Sequence, residues 1–173
     1  MKKTITVLVI AMLALLLALS ACGGAEENQE GMPNPWHDIT EAEALERCPQ
    51  SFVIPEGADN VNWNAMESAE GPALVQADFD LDGNSFTARE QIADGEQADQ
   101  AGMYYEWTAQ SEDELTNWGL PCTTYRYVGE NEYADLCTWF DPASGVSYSL
   151  SVTAEDLDGF DILAIAEAMA PAK

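Results

Sequence analysis

Positively charged residues are scarce in this chain. Its 173 residues include only six lysines and arginines against 31 aspartates and glutamates. Two of the six, Lys2 and Lys3, open the chain, so the part beyond residue 21 keeps four basic residues and all 31 acids, a formal charge of −27. Such a surface repels phosphate backbones and anionic lipid headgroups. The composition therefore excludes nucleic acid as a partner and excludes adhesion of the protein surface to a bilayer.

Histidine occurs once, at His37, beside tryptophan and between prolines and acids. Catalysis by a Ser-His-Asp or Cys-His arrangement needs a histidine in the folded core. A zinc site built from one histidine and scattered cysteines would lack the usual short ligand spacing. We therefore predict that the protein is not an enzyme of either kind and that it needs no cofactor.

Long apolar runs are also few, and the clearest one lies near the start, from Ile5 to Leu19. At about 15 residues it is shorter than the roughly 20 that span the hydrocarbon core. Lys2 and Lys3 precede it and Leu19-Ser20-Ala21-Cys22-Gly23 follows, which is typical of a secretory signal with its cleavage point. The alternatives are a signal with an incidental cysteine and an uncleaved single-span anchor.

Cys22 at that cleavage point resembles the lipobox cysteine of bacterial lipoproteins. We expect cleavage before Cys22 and a diacylglycerol on its thiol. The protein would then be held on the extracytoplasmic face of the cell membrane by lipid rather than by a spanning helix. This predicts three segments: a lipoprotein signal peptide at residues 1–21, a flexible tether at 22–38 that is rich in glycine and proline, and a single domain at 39–171.

Short helices are predicted at both ends of the domain. Thr40 as N-cap and Glu43 as its capping-box partner predict a helix over about residues 41–47. Near the C-terminus, an amphipathic helix follows Asp161 and should cover one face of a sheet. Its apolar residues recur at helical spacing at Ile162, Ile165, Ala166 and Met169.

A β-hairpin is predicted between Ala73 and Ile92, where apolar and polar residues alternate with the period of half-buried strands. With Asp82-Gly83 as a two-residue turn, Phe79 falls opposite Phe86 and Ala77 opposite Ala88. Both apolar faces then agree, so this register is self-consistent.

Further strands complete the expected sheet. Alternation predicts a three-strand meander over about residues 123–127, 134–140 and 146–152, joined by turn-forming residues. Other strands are expected at Ser51–Pro55, Val61–Glu67 and Met103–Ala109. The predicted fold class is α+β, a mainly antiparallel sheet of about seven or eight strands with a short N-terminal helix and a C-terminal amphipathic helix.

Three cysteines remain once Cys22 carries lipid, so at most one internal disulfide can form. If Gly129-Glu130 is a two-residue turn, Cys122 faces Cys137 across the meander. This register makes them a hydrogen-bonded pair, whose wider separation suits a disulfide less well. A bridge to Cys48 and three unpaired thiols are the alternatives.

A short acidic motif within the hairpin resembles the opening of a calcium loop. Its members are Asp78, Asp80 and Asp82, followed by glycine and asparagine. Such a loop needs a bidentate carboxylate at its twelfth position, which here is Arg89. We therefore interpret the motif as part of the hairpin and predict no metal site.

Aromatic residues are numerous for a domain of this size, and most should pack in the core. A few exposed ones would give a platform for a sugar or peptide, because Trp and Tyr supply area with little loss of entropy. The candidates are Tyr104, on the polar side of its predicted strand, and Trp118, in an Asn-Trp-Gly loop.

Several stretches together resemble a family of uncharacterised bacterial lipoproteins. They are Ser51-Phe52-Val53-Ile54-Pro55-Glu56-Gly57-Ala58, the Phe79–Gly83 hairpin, Trp139, Ser147–Ser151 and Ile165–Met169. The same stretches are similar to a domain of unknown function in such lipoproteins and at the extracellular end of some Gram-positive anti-sigma factors. The resemblance covers roughly residues 50–170 and rests on strand and helix patterns, so it implies no functional residue. It implies a non-catalytic envelope domain for sensing or partner binding, although a cytoplasmic sigma-binding part is not expected here.

The sequence therefore predicts a lipid-anchored extracytoplasmic binding or interaction module without catalytic activity. Its partner would be an envelope protein, a glycan or a cell-wall ligand. The alternative from another class is a carbohydrate-active or cell-wall enzyme that uses paired carboxylates. With 31 acids in the chain, no particular pair is evidence for it. A third reading is a structural lipoprotein that divalent cations stabilise.

Overall fold

The computed structural model describes residues 34–48, 50–68, 71–93, 95 and 97–171. In these residues eight strands form one antiparallel sheet, accompanied by two short helices. The strands are β1 Trp36–Ile39, β2 Asp59–Met66, β3 Leu74–Leu81, β4 Asn84–Ile92, β5 Ala109–Leu115, β6 Leu120–Val128, β7 Tyr133–Asp141 and β8 Val146–Ala154, and the helices are α1 Glu41–Arg47 and α2 Ile162–Ala168. This confirms the predicted α+β class and the mainly antiparallel sheet. The predicted signal peptide, Cys22 and residues 22–33 of the predicted tether lie outside the described residues.

Two meanders build the sheet, whose strand order is β1-β2-β3-β4-β8-β7-β6-β5. The chain runs through β1 to β4, crosses to the far edge as β5, and returns so that β8 pairs with β4 at the centre. The connection from β4 to β5 passes over one face of the sheet. Its residues 97–108 are called the crossover below.

One face of the sheet carries the core and packs against both helices. This helix face includes Phe79 and Phe86, whose rings stack with centroids 5.3 Å apart. Further buried residues of this face include Val75, Ala77, Ala88, Cys137, Trp139, Tyr148, Leu150 and Val152. β8 is buried on both faces, and on the face away from the helices its buried serines are Ser147, Ser149 and Ser151. The crossover forms hydrogen bonds to Ser147 on that face.

The structure confirms the predicted hairpin in its exact register. Phe79 pairs with Phe86 and Ala77 with Ala88. The turn residues Asp82 and Gly83 both have positive φ, 51° and 84°, as a two-residue turn that matches strand twist requires. The apolar alternation was therefore sufficient to fix the pairing.

Side-chain caps define where the helices begin. The Thr40 hydroxyl accepts from the Glu43 amide at 3.2 Å, and Glu43 Oε2 accepts from the Thr40 amide at 2.7 Å. Asp161 Oδ1 accepts from the Leu163 amide at 3.0 Å at the start of α2. Of the described helices, none is long and apolar enough to cross a membrane.

The sheet begins earlier than the sequence pattern indicated. Residues 36–38, assigned to the tether, belong to β1, where His37 pairs with Ala65 and Ile39 with Trp63. The predicted strand at Ser51–Pro55 is wrong, because this segment has no strand pairing and instead packs on the helix face, where Phe52 stacks on Trp63 with centroids 5.4 Å apart. β1 was missed because an edge strand of four residues is too short to show alternation. Ser51–Pro55 was mistaken for a strand because a buried loop can contain the same apolar residues as a strand.

The predicted strand at Met103–Ala109 is also wrong, since the strand in this region is β5, Ala109–Leu115. Six of its seven residues are exposed, and only Leu115 is buried. Edge strands are often charged, which prevents pairing with other chains. Such a strand lacks the alternation on which sequence reasoning depends.

The predicted register of β6 and β7 is wrong by two residues. The connection is the four-residue segment Gly129–Glu132, so Cys122 lies opposite Trp139 and Cys137 opposite Thr124. The two cysteines are therefore diagonal neighbours on the helix face. Instead of the predicted bridge, the structure has Cys48, Cys122 and Cys137 as free, buried thiols.

Candidate functional site

Trp118 lies in the turn between β5 and β6, at one end of the helix face. Its indole Nε1 donates to the Ala166 carbonyl of α2 at 2.9 Å. Its ring contacts those of Trp139 and Tyr148, with centroids 5.2 and 5.0 Å away. These contacts fix the orientation of Trp118 and leave it half-buried at the surface.

A cleft of about 720 Å³ opens beside Trp118. It lies between α1, the loop Gln50–Val53 and the turn that carries Trp118. Leu45 and Val53 present apolar surface in its lining and are 49% and 46% exposed. We call this space the Trp118 cleft. The charged residues in its lining are both acidic, Glu41 and Asp141.

The loop Gln50–Val53 is held to the sheet from below by a buried carboxylate. Glu90 of β4 is fully buried and accepts from the Ser51 hydroxyl at 2.7 Å and from the Phe52 amide at 3.2 Å. Burial raises the pKa of Glu90 to about 8, although the two hydrogen bonds oppose the rise. The Tyr148 hydroxyl adds a further anchor by donating to the Gln50 carbonyl at 2.6 Å. The loop that lines the cleft is thus fixed by side chains of the sheet.

A second buried carboxylate, Asp135 of β7, belongs to an ion pair. Arg126 of β6 donates to both its oxygens, at 2.7 Å from Nε and 2.5 Å from Nη2. Arg126 Nη2 also donates to the Phe160 carbonyl at 3.0 Å, just before α2. The hydrogen bonds that Arg126 donates to Asp135 raise the pKa of Arg126. This group ties the start of α2 to the sheet.

The two aromatic residues predicted as a platform do not come together. Trp118 lines the cleft on the helix face, whereas Tyr104 lies in the crossover on the opposite face and is 87% exposed. Tyr104 is exposed, which agrees with the prediction that it lies on the polar side of a strand. The predicted strand that suggested it is absent.

Sequence reasoning missed a cluster of four aromatic rings on the crossover face. Tyr105 stacks on Tyr127 at 4.7 Å, Trp107 lies 5.5 Å from Tyr125, and Tyr105 and Trp107 are 5.4 Å apart, all between centroids. Alternation already placed Tyr125 and Tyr127 on one side of β6. No local signal showed that the crossover would lie on top of them.

The acidic motif of the hairpin is occupied by hydrogen bonds within the chain. Asp78 accepts from Thr87 at 2.7 Å and from Gln76 at 2.8 Å. Asp80 accepts from Ser85 and Asn60, and these bonds lower its pKa. Asp82 lies in the turn itself. In the part of the chain that the structure describes, no group of three or more His, Cys, Asp or Glu residues is placed to hold a metal ion.

The cysteine thiols influence one another without forming a bridge. A hydrogen bond with Cys137 lowers the pKa of Cys122, and the same interaction together with burial raises the pKa of Cys137. Burial also raises the pKa of Cys48 to about 12, with a smaller contribution from Glu90. A raised pKa makes a thiol less reactive, so Cys48 and Cys137 behave as core residues.

The described residues from Asn34 onward define the class of this fold, an α+β unit whose eight-stranded antiparallel sheet carries a cleft at one end. No family model, curated protein or solved structure matches the chain.

Proposed function

We propose that this protein is a non-catalytic, lipid-anchored binding module on the extracytoplasmic face of a bacterial membrane, and that the Trp118 cleft is its binding site. The observation that carries the proposal is the cleft itself, about 720 Å³ with half-exposed apolar side chains in its lining. Ligand sites usually measure about 300–1,000 Å³ and combine apolar walls with a few fixed polar groups. The basic start, the apolar run and Cys22 support the membrane location.

Charge indicates the chemistry of the partner. Both charged residues in the lining, Glu41 and Asp141, are acidic, and the part of the chain beyond residue 21 carries a formal charge of −27. Positive groups are therefore attracted to this surface over long distances at low salt. The occupant that fits is a segment of an envelope protein in which an apolar side chain neighbours a lysine or arginine.

The placement of the buried carboxylates favours binding over glycoside hydrolysis. Glu90 and Asp135 are separated by two strand spacings and four residues along the sheet, roughly 16 Å between Cα atoms from ordinary sheet dimensions. Glycosidases hold their two carboxyl groups about 5–9.5 Å apart. Asp135 is in addition neutralised by Arg126. These two groups therefore do not form a hydrolytic pair.

Substituting Val53 should weaken binding in the cleft. Val53→Arg adds bulk and positive charge to the lining of the cleft. Val128→Arg is the control, because it makes the same change at the end of β6 that lies away from Trp118. The two valines are equally exposed, Val53 at 46% and Val128 at 45%. The measurement is the Tm of the purified full-length protein against short peptides that pair Leu or Phe with Lys or Arg, with neutral glycans and cell-wall fragments alongside.

The proposal predicts a saturable rise in Tm with a basic apolar peptide. Val53→Arg should raise its Kd at least about tenfold, or about 1.4 kcal/mol, and Val128→Arg should change it less than about twofold. Equal effects of the two substitutions would show that the peptide does not bind in the cleft. A response to glycans alone would contradict the proposed partner chemistry.

Replacing Cys22 should abolish lipid attachment. The wild-type protein should incorporate a labelled fatty acid in bacteria and lose residues 1–21 from its intact mass, because the lipidated cysteine becomes the new N-terminus. Cys22→Ala should incorporate no label. Cys48→Ala, which removes a buried thiol of the domain, should incorporate as much as the wild type. Label that persists in Cys22→Ala, or wild-type protein without label, would refute the anchor.

A further inference from the structure

The crossover forms an arch over β7. On the β8 side the Ala98 amide donates to the Ser147 hydroxyl at 2.8 Å, and Gln100 Nε2 donates to the Ser147 carbonyl at 2.6 Å. On the β6 side the Thr108 amide donates to the Arg126 carbonyl at 2.8 Å, and the ring of Trp107 packs on that of Tyr125. Beneath the arch lies a cavity of about 310 Å³, which we call the arch cavity.

One buried polar atom at the arch cavity has no hydrogen-bond partner among the described residues. Gln100 lines the cavity and is only 5% exposed. Its Nε2 donates to the carbonyls of Arg89 and Ser147, but its Oε1 accepts no hydrogen bond from any residue in the described ranges. A buried acceptor left unsatisfied costs about 1–3 kcal/mol. No described residue supplies the hydrogen bond that Gln100 Oε1 can accept, so a donor group on a ligand in the arch cavity would satisfy it.

The rest of the lining is apolar and aromatic on one side. Leu136 forms part of the floor, and Met103, Trp107 and Tyr125 lie beside it. Thr138 adds one hydroxyl to the lining. A ligand that fits must present an apolar face to these rings and hydrogen-bond donors toward Gln100.

The charges around the arch cavity nearly balance. Asp99 is the charged residue in its lining. The guanidinium of Arg89 lies against the other side of the arch and donates to the carbonyls of Gln100 and Ala101 at 2.9 and 2.8 Å. Asp99 and the acidic surface repel an anion, and Arg89 repels a cation. The neighbourhood therefore favours an uncharged ligand.

We propose that the arch cavity binds one ring of an uncharged carbohydrate. The C–H face of the sugar packs on Trp107 and Tyr125, and its hydroxyl groups donate to Gln100 Oε1 and to Asp99. Amphipathic aromatic side chains suit such two-sided ligands. The arch cavity and the Trp118 cleft lie on opposite faces of the sheet, so this inference does not depend on the proposed function.

The test is a titration of the purified full-length protein, in a detergent without a sugar headgroup, with glucose, galactose, mannose, N-acetylglucosamine and short neutral oligosaccharides. Binding is followed by isothermal titration calorimetry, which needs no reporter residue and therefore applies to every variant. The proposal predicts saturable binding of at least one sugar with a Kd below about 1 mM, insensitive to salt. No saturable binding in this range, or binding of an amine such as cadaverine in place of every sugar, would overturn it.

Three variants locate the site. Trp107→Leu keeps an apolar residue against Tyr125 but removes the stacking surface, and Met103→Trp fills the cavity without removing an anchor of the arch. Both should raise the Kd at least about tenfold. Tyr104→Ala is the matched control, because Tyr104 is an exposed aromatic residue of the same segment outside the lining, and its Kd should stay within twofold. Sugar binding that survives both Trp107→Leu and Met103→Trp would overturn the proposal, and each variant is checked for an unchanged Tm.

Discussion

Asp135→Ala should lower the free energy of unfolding by about 3 kcal/mol. Breaking a buried ion pair by removing one partner typically costs 3–5 kcal/mol, because the remaining charge is left uncompensated. Here the carboxylate side chain is 2% exposed and the Arg126 side chain 34%. Water reaches the guanidinium in part, so we expect the lower end of that range.

Urea unfolding of Asp135→Ala, of a control variant and of a double variant checks this result. Glu112→Ala removes an exposed acid from the neighbouring strand β5 and should change the free energy of unfolding by less than about 0.5 kcal/mol. The double variant Arg126→Met with Asp135→Leu should recover most of the lost stability, because apolar residues often replace a buried pair without loss. If Asp135→Ala costs no more than Glu112→Ala, the pair does not hold the fold.

This ion pair also matters for the candidate site. Arg126 holds the Phe160 carbonyl before α2, and α2 provides the Ala166 carbonyl to which Trp118 donates. Loss of Asp135 should therefore loosen Trp118 as well as the core. A fall in the Tm shift caused by a cleft ligand would report this connection.

The stability of the protein should fall as the pH rises from about 4.5 to 8 because of Glu90. Burial raises the pKa of Glu90 from 4.5 to about 8, so between these values the unfolded chain releases a proton that the folded protein keeps. The stabilisation is complete below pH 4.5, decreases by about 1.4 kcal/mol per pH unit, and is lost above pH 8. Cys48 and Tyr148 are the other titratable groups that interact with Glu90, and both stay neutral over this range because burial raises their pKa values.

Glu90→Gln isolates this effect, because an amide of the same shape cannot ionise. The free energy of unfolding of Glu90→Gln minus that of the wild type should rise by about 4–5 kcal/mol between pH 4.5 and 8 and then stay constant. The subtraction removes the contributions of the other carboxylates. Glu112→Gln, at an exposed position, should give a flat difference. A flat difference for Glu90→Gln as well would mean that Glu90 ionises in the folded protein as it does in water.

Glu90 connects this pH dependence to the cleft. Its two hydrogen bonds hold Ser51 and Phe52, and both residues line the cleft. Ionisation near pH 8 places a charge beneath the loop Gln50–Val53. This negative charge attracts the basic group of the proposed ligand and strengthens the two hydrogen bonds to the loop, so binding of the basic apolar peptide should tighten above pH 8 in the wild type and less so in Glu90→Gln.

Sequence reasoning succeeded where local alternation and turn chemistry agreed. The hairpin of β3 and β4 had two apolar faces that matched in only one register, and a turn that accepts positive φ. It failed at both edges of the sheet. β1 is too short to show a period, and β5 is exposed on six of seven residues, so neither strand carries an apolar pattern.

The candidate site was only partly visible in the sequence. Trp118 was a candidate because it is an aromatic residue in an Asn-Trp-Gly loop, but the cleft beside it depends on the loop Gln50–Val53, which is distant in sequence. The predicted register of Cys122 and Cys137 assumed a two-residue turn, whereas the connection has four residues. Long-range packing of the crossover on Tyr125 and Tyr127 leaves no local signal.

The most direct test of the central claim is photo-crosslinking in the native envelope. A photoreactive phenylalanine analogue replaces Val53 in the lining of the Trp118 cleft or, as control, Val128 at the far end of the sheet. We predict one discrete crosslinked protein from position 53 and none from position 128. The basic apolar peptide that raises the Tm should reduce the yield of that crosslinked product. The same products from both positions, or none from position 53, would contradict the claim that the Trp118 cleft binds an envelope partner.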